Sequence, residues 1–172
     1  MKELEILKVK TLEEIKLVSD LADVIWHEHF TPIIGINQVE YMIKRFQCFD
    51  AIKEQTDSGY EYYLFNYKGE FVGYTGMKKE EGSLFLSKLY VKKEYRGNKI
   101  SREAIKFMVN LCEDSRLIKI WLTVNKNNDN TIAAYEKMGF DKTRMQKADI
   151  GNGFFMDDYI MEKAIDLKDA DS

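Results

Sequence analysis

The fold follows from residues 89–101, which read Leu89-Tyr90-Val91-Lys92-Lys93-Glu94-Tyr95-Arg96-Gly97-Asn98-Lys99-Ile100-Ser101. The apolar run that ends at Val91 predicts a strand, Gly97 predicts a tight turn, and the apolar spacing that follows predicts a helix. Such a turn directs backbone N–H groups and the positive end of the helix dipole to one place, where a pyrophosphate can accept hydrogen bonds. A turn with a purely structural role has the same pattern, so the interpretation needs further signals.

The charge distribution around this stretch is one such signal. Seven basic and two acidic residues lie between Lys88 and Lys106, a local charge of +5, whereas the whole chain carries −3 and the remainder therefore −8. A basic segment in an otherwise acidic protein favours a site for one phosphorylated ligand, and a solvated helix face is the competing interpretation. The acidic total argues against a nucleic acid as partner.

The composition indicates a folded protein. The chain has 172 residues, of which 45% are hydrophobic and 13% aromatic, enough for a sizeable core. We expect one domain over 1–165 and a polar tail over 166–172. No apolar run is long enough to cross a membrane and no signal peptide is evident, so we expect a cytoplasmic location. Cys48 and Cys112 lack CxxC spacing, so we expect buried thiols and neither a disulfide nor a metal site.

The first third of the chain is predicted to be helical after a strand at Leu4–Val9. Thr11 and Glu14 form a capping-box pattern at the start of a helix over 11–29, which Thr31 and Pro32 should break. A second capping box, Asn37 with Glu40, should begin the next helix.

Strand patterns dominate from Tyr60 onward. The predicted strands are 61–67, 71–77, 84–91, 117–124, 140–145 and 154–162, with a helix after Gly97 and a short helix over 128–137 that ends at Gly139. Three antiparallel strands in series are followed by a strand, a helix and a strand, an order that predicts a parallel pair. The expected class is α/β (mixed α+β), with a sheet of about six to seven strands, antiparallel in its first half, a parallel pair at its centre, and flanking helices.

Two separated segments resemble a known family. Residues 95–101, together with Asn128, Ala133 and 135–140, are similar to the two signature segments of the GNAT acyl-CoA N-acyltransferases. The order of strands and helices from 4 to 165 is also similar to that fold. The resemblance implies acetyl-CoA as co-substrate, a small-molecule amine as acceptor, no metal, and no nucleic acid or membrane as partner; it leaves a homodimer open.

The resemblance also implies roles for individual residues. The pantetheine arm of coenzyme A would bind the backbone of Leu89, Tyr90 and Val91, and its pyrophosphate would lie against Arg96, Gly97, Asn98, Lys99, Ile100, Ser101 and Arg102. Asn128 would contact the coenzyme, and Tyr135 would protonate the departing thiolate, although a core tyrosine has the same spacing. Lys99 and Ser101 stand where the family has Gly and Gly or Ala; we expect ordinary dihedral angles at Lys99 and a helix cap at Ser101.

A general base is harder to assign. Many relatives have a glutamate at the position of Ser87, which cannot accept the proton at neutral pH. Glu28 is the substitute candidate, because it lies at the border of the apolar face of the first helix. His27, His29 and a water relay remain alternatives.

The acceptor is open at this point. Residues 120–124, 128–130 and 156–161 are similar to bacterial polyamine acetyltransferases, and Asp157 with Asp158 can attract a polycation. Peptide amino-termini, amino acids and aminoglycosides are alternatives, as is a non-catalytic acyl-CoA-binding module. A Rossmann domain is disfavoured because three antiparallel strands precede the glycine turn.

Overall fold

The computed structural model describes residues 3–167, so residues 168–172 of the predicted polar tail lie outside the described residues. The strands are β1 (Leu4–Lys8), β2 (Tyr60–Tyr67), β3 (Glu70–Lys79), β4 (Ser83–Val91), β5 (Lys119–Asn125), β6 (Asp141–Gly151) and β7 (Phe154–Ala164). The helices are α1 (Leu12–Ile34), α2 (Ile36–Met42), α3 (Phe49–Asp57), α4 (Ile100–Ser115) and α5 (Asp129–Lys137), with a π-helical turn at Ile43–Gln47 and a 3₁₀ turn at Lys93–Tyr95.

The seven strands are hydrogen-bonded in the order β1-β2-β3-β4-β5-β7-β6. β1 with β2, β2 with β3, β5 with β7 and β6 with β7 are antiparallel, whereas β4 and β5 are parallel. The parallel pairing covers three residue pairs, from Ser83 with Lys119 to Phe85 with Trp121. The predicted mixed sheet with one parallel pair is confirmed.

Internal contacts divide the chain into two compact units. Of the described residues, one unit comprises 3–78 and 88–104, and the other comprises 79–87 and 105–167. The core of the first unit is built from the apolar stripe of α1, including Val18, Ala22 and Ile25, and from buried residues of β2 and β3. In the second unit β5 alternates buried and half-buried side chains, as a strand with one covered face does.

Helix α1 differs from the sequence prediction at its end. The capping box at Thr11 and Glu14 is confirmed, but the helix does not break at Thr31 and Pro32; it continues to Ile34 and ends at Gly35, which has φ 85°. Pro32 lacks the N–H that would donate to the carbonyl of Glu28, and the helix continues for two residues beyond it without that bond. Although α1 is the longest helix over 3–167, neither it nor any other described helix is long and apolar enough to cross a membrane.

The segment after Gly35 also differs from its prediction. Helix α2 begins at Ile36 with no side-chain cap, so the capping box proposed for Asn37 and Glu40 is wrong. No helix or strand was predicted between 47 and 59, where α3 buries Ile52. Cys48, expected to be buried, is half-buried before α3, whereas Cys112 is buried as predicted.

Candidate functional site

The backbone of the turn after β4 has two residues in the left-handed region. Gly97 has φ 88°, and Lys99 has φ 61°. The prediction of ordinary dihedral angles at Lys99 is therefore wrong. The lysine adopts a left-handed conformation that costs less energy for glycine. A Cβ added to Gly97 would meet no atom within 4 Å, so the space beside this glycine is open.

Side chains fix the shape of this turn. Arg96 Nε donates to the carbonyl of Val91 at 3.1 Å, which ties the turn back to the end of β4. Asn98 Nδ2 donates to the carbonyl of Tyr95 at 3.0 Å, and the Tyr95 hydroxyl donates to Glu70. These hydrogen bonds therefore fix the backbone conformation of the turn without a ligand.

Helix α4 begins directly after this turn. The amide of Glu103 donates to the carbonyl of Lys99 at 3.0 Å, so Lys99 and not Ser101 occupies the cap position. Ser101 is the second helical residue and is half-buried, which corrects its predicted role. The N–H groups of Ile100, Ser101 and Arg102 lie in the first turn, where no helical carbonyl precedes them.

The turn is also basic. Residues 92–102 contain five basic side chains and one acidic side chain, and residues 96–99 are exposed. Lys88, counted in the basic segment by the sequence analysis, does not belong to this surface, because it is only 5% exposed. First-turn N–H groups beside exposed cations can hold a phosphate-bearing ligand.

The end of β4 lies close to β3 at Gly73. A Cβ on Gly73 would come within 2.2 Å of the carbonyl oxygen of Tyr90, so this approach requires glycine. The Tyr90 ring packs against α1, with centroids 5.6 Å from Trp26 and 5.9 Å from Phe30, and lies 5.6 Å from Tyr74. The strand segment 89–91 is therefore rigidly supported.

In the second unit, α5 carries the predicted proton donor. Tyr135 is 8% exposed and its ring centroid lies 5.3 Å from that of Phe140. Burial raises the pKa of the Tyr135 hydroxyl above its usual value, so the phenol stays protonated at neutral pH. Asn128, buried at 6% exposure, precedes the first residue of α5, and Gly139, where the helix was predicted to end, has φ 95°.

The candidate bases differ in their surroundings. Glu28 is exposed on α1, and Ser87 is half-buried in β4. His27 Nδ1 lies 2.7 Å from the carbonyl of Asp23, a contact within its own helix. The ring of His29 meets that of Phe30 edge-on at 4.7 Å. Neither the burial nor the contacts of these residues identify one of them as the proton acceptor.

The two aspartates of β7 do not form one solvated acidic patch. Asp157 forms an ion pair with Lys126 at 2.9 Å, whereas Asp158 is 1% exposed and its Oδ1 has no hydrogen-bond partner within residues 3–167. Burial, followed by the charge of Asp157, raises the pKa of Asp158 to about 6. Only Asp157 therefore presents its carboxylate toward solvent.

The structure groups the predicted site residues as follows. Leu89–Val91, the turn 96–102 and Glu28 lie in the first unit, and Asn128, Tyr135, Asp157 and Asp158 lie in the second. Sequence reasoning missed the buried environment of Lys88. A lysine between the apolar residues Leu86 and Leu89 within a predicted central strand was the available signal.

Comparison with known proteins places the chain among acetyltransferases. A model of the acetyltransferase (GNAT) family matches residues 20–140. The PaiA N-acetyltransferase from Thermoplasma acidophilum, solved in complex with coenzyme A, is 20% identical with a TM-score of 0.77, over 95% of this chain and 99% of that chain.

Two further structures have different acceptors in their names. The ribosomal-protein-S18-alanine N-acetyltransferase from Escherichia coli is 14% identical with a TM-score of 0.72, covering 98% of both chains. A chimera of the spermidine N-acetyltransferase from Vibrio cholerae and hSSAT is 14% identical with a TM-score of 0.70, over 95% of this chain and 96% of that chain. At such identities the likeness establishes a common fold alone.

Proposed function

The chain belongs to the acetyltransferase (GNAT) family, as the resemblance at 95–101 predicted, and we propose that it transfers the acetyl group of acetyl-CoA directly to a primary amine of a small molecule. The preferred acceptor in this proposal is a polyamine. In this proposal residues 1–165 form a single domain, and the protein is located in the cytoplasm.

The turn after β4 is the observation that carries this proposal. Left-handed backbone at Gly97 and Lys99 turns the chain into α4, whose first N–H groups have no helical acceptor. The open space beside Gly97 and the net positive charge of 92–102 suit the pyrophosphate of coenzyme A. The pantetheine arm would then follow the backbone of 89–91, as the resemblance implies.

The chemistry requires three proton movements. The protonated acceptor loses one proton, and its neutral nitrogen attacks the thioester carbonyl carbon; the nitrogen then loses a second proton as the carbon–sulfur bond breaks, and the departing thiolate gains one. Tyr135, held protonated by burial, is the proposed donor to the departing thiolate. Glu28 is kept as the candidate base, with a water relay as the alternative.

A cationic acceptor fits the charge of the chain. Outside the basic segment 88–106 the remainder carries −8, which attracts a polycation at long range. Asp157 is partly neutralised by Lys126, and the carboxylate of Asp158 is buried. The charge argument therefore rests on the acidic remainder more than on this pair.

A non-catalytic acyl-CoA-binding module is the second candidate. Ser87, at the position where many relatives have a glutamate, favours it, because serine cannot accept the proton. Both candidates bind acetyl-CoA, but only the enzyme releases coenzyme A when an amine is added.

Calorimetry and a release assay test the proposal together. We expect wild type to bind acetyl-CoA and to release coenzyme A in the presence of one class among polyamines, amino acids, aminoglycosides and peptides. Gly97→Glu puts a carboxylate beside the proposed pyrophosphate and should abolish binding. Unchanged binding by a folded Gly97→Glu protein refutes the coenzyme placement, and binding without release by any amine favours the non-catalytic module.

A further inference from the structure

Lys88 is buried in the first unit and donates two hydrogen bonds to a distant part of the chain. Its Nζ lies 2.6 Å from the carbonyl oxygen of Phe46, at the π-helical turn, and 3.2 Å from Oε1 of Gln55 in α3. The residue is 5% exposed. One side chain of β4 thus holds the segment that runs from the π-helical turn into α3.

The partners of Lys88 form a closed network. Gln55 Nε2 donates to the same Phe46 carbonyl at 3.3 Å, and Gln55 Oε1 also accepts a 2.5 Å hydrogen bond from the Tyr62 hydroxyl. The Tyr62 ring lies 5.2 Å from the Lys88 nitrogen. Because each polar atom has a partner, the network specifies one position for 46–55.

The buried amine of Lys88 lowers the stability of the folded protein. Burial lowers the pKa of Lys88 to about 7, whereas the pKa of an unperturbed lysine is about 10.4. No carboxylate forms an ion pair with Lys88 within the described part of the chain. Core residues of similar volume would fill this position without the desolvation penalty. The lysine is therefore better explained by a positioning role than by packing.

Lys88 shares one face of β4 with Tyr90, because side chains two residues apart in a strand point the same way. Tyr90 contacts Trp26 and Phe30 of α1 on that face. Both ends of the segment 26–47 thus meet β4 at Lys88 and Tyr90, beside the backbone proposed to carry pantetheine. An amine that attacks a thioester bound along this backbone must approach it, and these contacts hold both ends of the segment 26–47 beside it.

We propose that Lys88 is a positioning residue of the acceptor site, which fixes residues 46–55 against β4 and thereby sets the affinity for the amine. This inference rests on the proposed acetyltransferase function. Lys88 then affects the affinity for the amine acceptor and leaves the affinity for acetyl-CoA unchanged.

The test compares Lys88→Met with Lys53→Met; Lys53 is a half-buried lysine of α3 whose ammonium group pairs with Asp57. Spermidine is the probe amine, and each variant is measured for acetyl-CoA Kd, for kcat and for the KM of spermidine. In Lys88→Met we expect the KM to rise about tenfold or more, because the two buried hydrogen bonds that hold residues 46–55 are lost, with kcat and Kd within about twofold of wild type. Lys88→Arg, which keeps the donors, should restore part of the affinity, and Lys53→Met should behave as wild type.

Gln55→Leu provides a second variant in case Lys88→Met fails to fold. It removes one acceptor of Lys88 from outside the sheet, and the KM should rise in the same direction with kcat and acetyl-CoA Kd retained. An unchanged KM in whichever of the two variants folds overturns the positioning role. If wild type binds acetyl-CoA but spermidine elicits no coenzyme A release, the proposed polyamine function and this inference both fall; release by wild type with an unchanged KM in the variants overturns this inference alone.

Discussion

At the scale of single residues, Tyr135 combines a core position with the role of proton donor that we propose for it. Its ring packs against Phe140, and its hydroxyl is buried in surroundings that keep it protonated. Tyr135→Phe keeps the packing and removes only the hydroxyl. We expect kcat to fall by roughly 10²- to 10⁴-fold, as for a lost general acid, with acetyl-CoA affinity little changed. Steady-state kinetics and calorimetry on the same preparation measure both values, and a variant with full kcat would leave Tyr135 a core residue only.

Single residues also mark the limit of prediction from sequence. Gly97 and Gly139 were predicted to sit in turns, because glycine has few other reasons to interrupt an apolar pattern. The left-handed backbone of Lys99 was not predicted, since local sequence rarely forces φ above zero on a lysine. The burial of Lys88 was missed because burial of a charged group depends on partners 42 and 33 residues away, at Phe46 and Gln55.

At the scale of elements, β4, the glycine turn and α4 follow from local pattern, because strand and helix periods differ sharply on either side of Gly97. Residues 31–57 were less predictable. Pro32 favours the end of a helix in the local sequence, yet α1 continues to Ile34 and ends at Gly35, so the predicted break came too early. Helix α3 buries only Ile52, too weak an apolar stripe to identify it in the sequence.

The turn before α4 yields a stability prediction. Lys99→Gly relieves the left-handed backbone strain of a lysine and removes a cation from a helix N-terminus, and both changes stabilise the folded state. Glycine also makes the unfolded chain more flexible, which offsets part of this stabilisation. We expect the free energy of unfolding to rise by about 0.5–1 kcal/mol, measured by urea denaturation. Lys92→Gly is the matched control, because Lys92 has φ −54° and should lose stability on substitution. A Lys99→Gly protein less stable than wild type would contradict the strain at this position.

At the scale of the whole molecule, the fold and the family were accessible from the sequence, whereas the acceptor was not. Two motifs in the expected order predicted the family, and the family model that matches residues 20–140 confirms it. Acceptor recognition depends on side chains from several elements, and the aspartates at 157 and 158 illustrate the difficulty. Adjacent in sequence, they differ in the structure, one paired with Lys126 and the other buried.

The distribution of charge gives the last prediction. The chain carries −3 although residues 92–102 are basic, so its remaining surface attracts cations over several ångströms of solvent. Spermidine, with more than one positive charge, should therefore show a higher kcat/KM than propylamine at low ionic strength. Screening lengths shrink from about 10 Å at 0.1 M salt to about 3 Å at 1 M, so the ratio of the two kcat/KM values should fall steadily over that range. Because both amines react through the same kind of nitrogen, the ratio cancels the effects of salt on chemistry and on acetyl-CoA binding. A ratio near one that does not respond to salt would contradict a polyamine acceptor and leave only the broader N-acetyltransferase assignment.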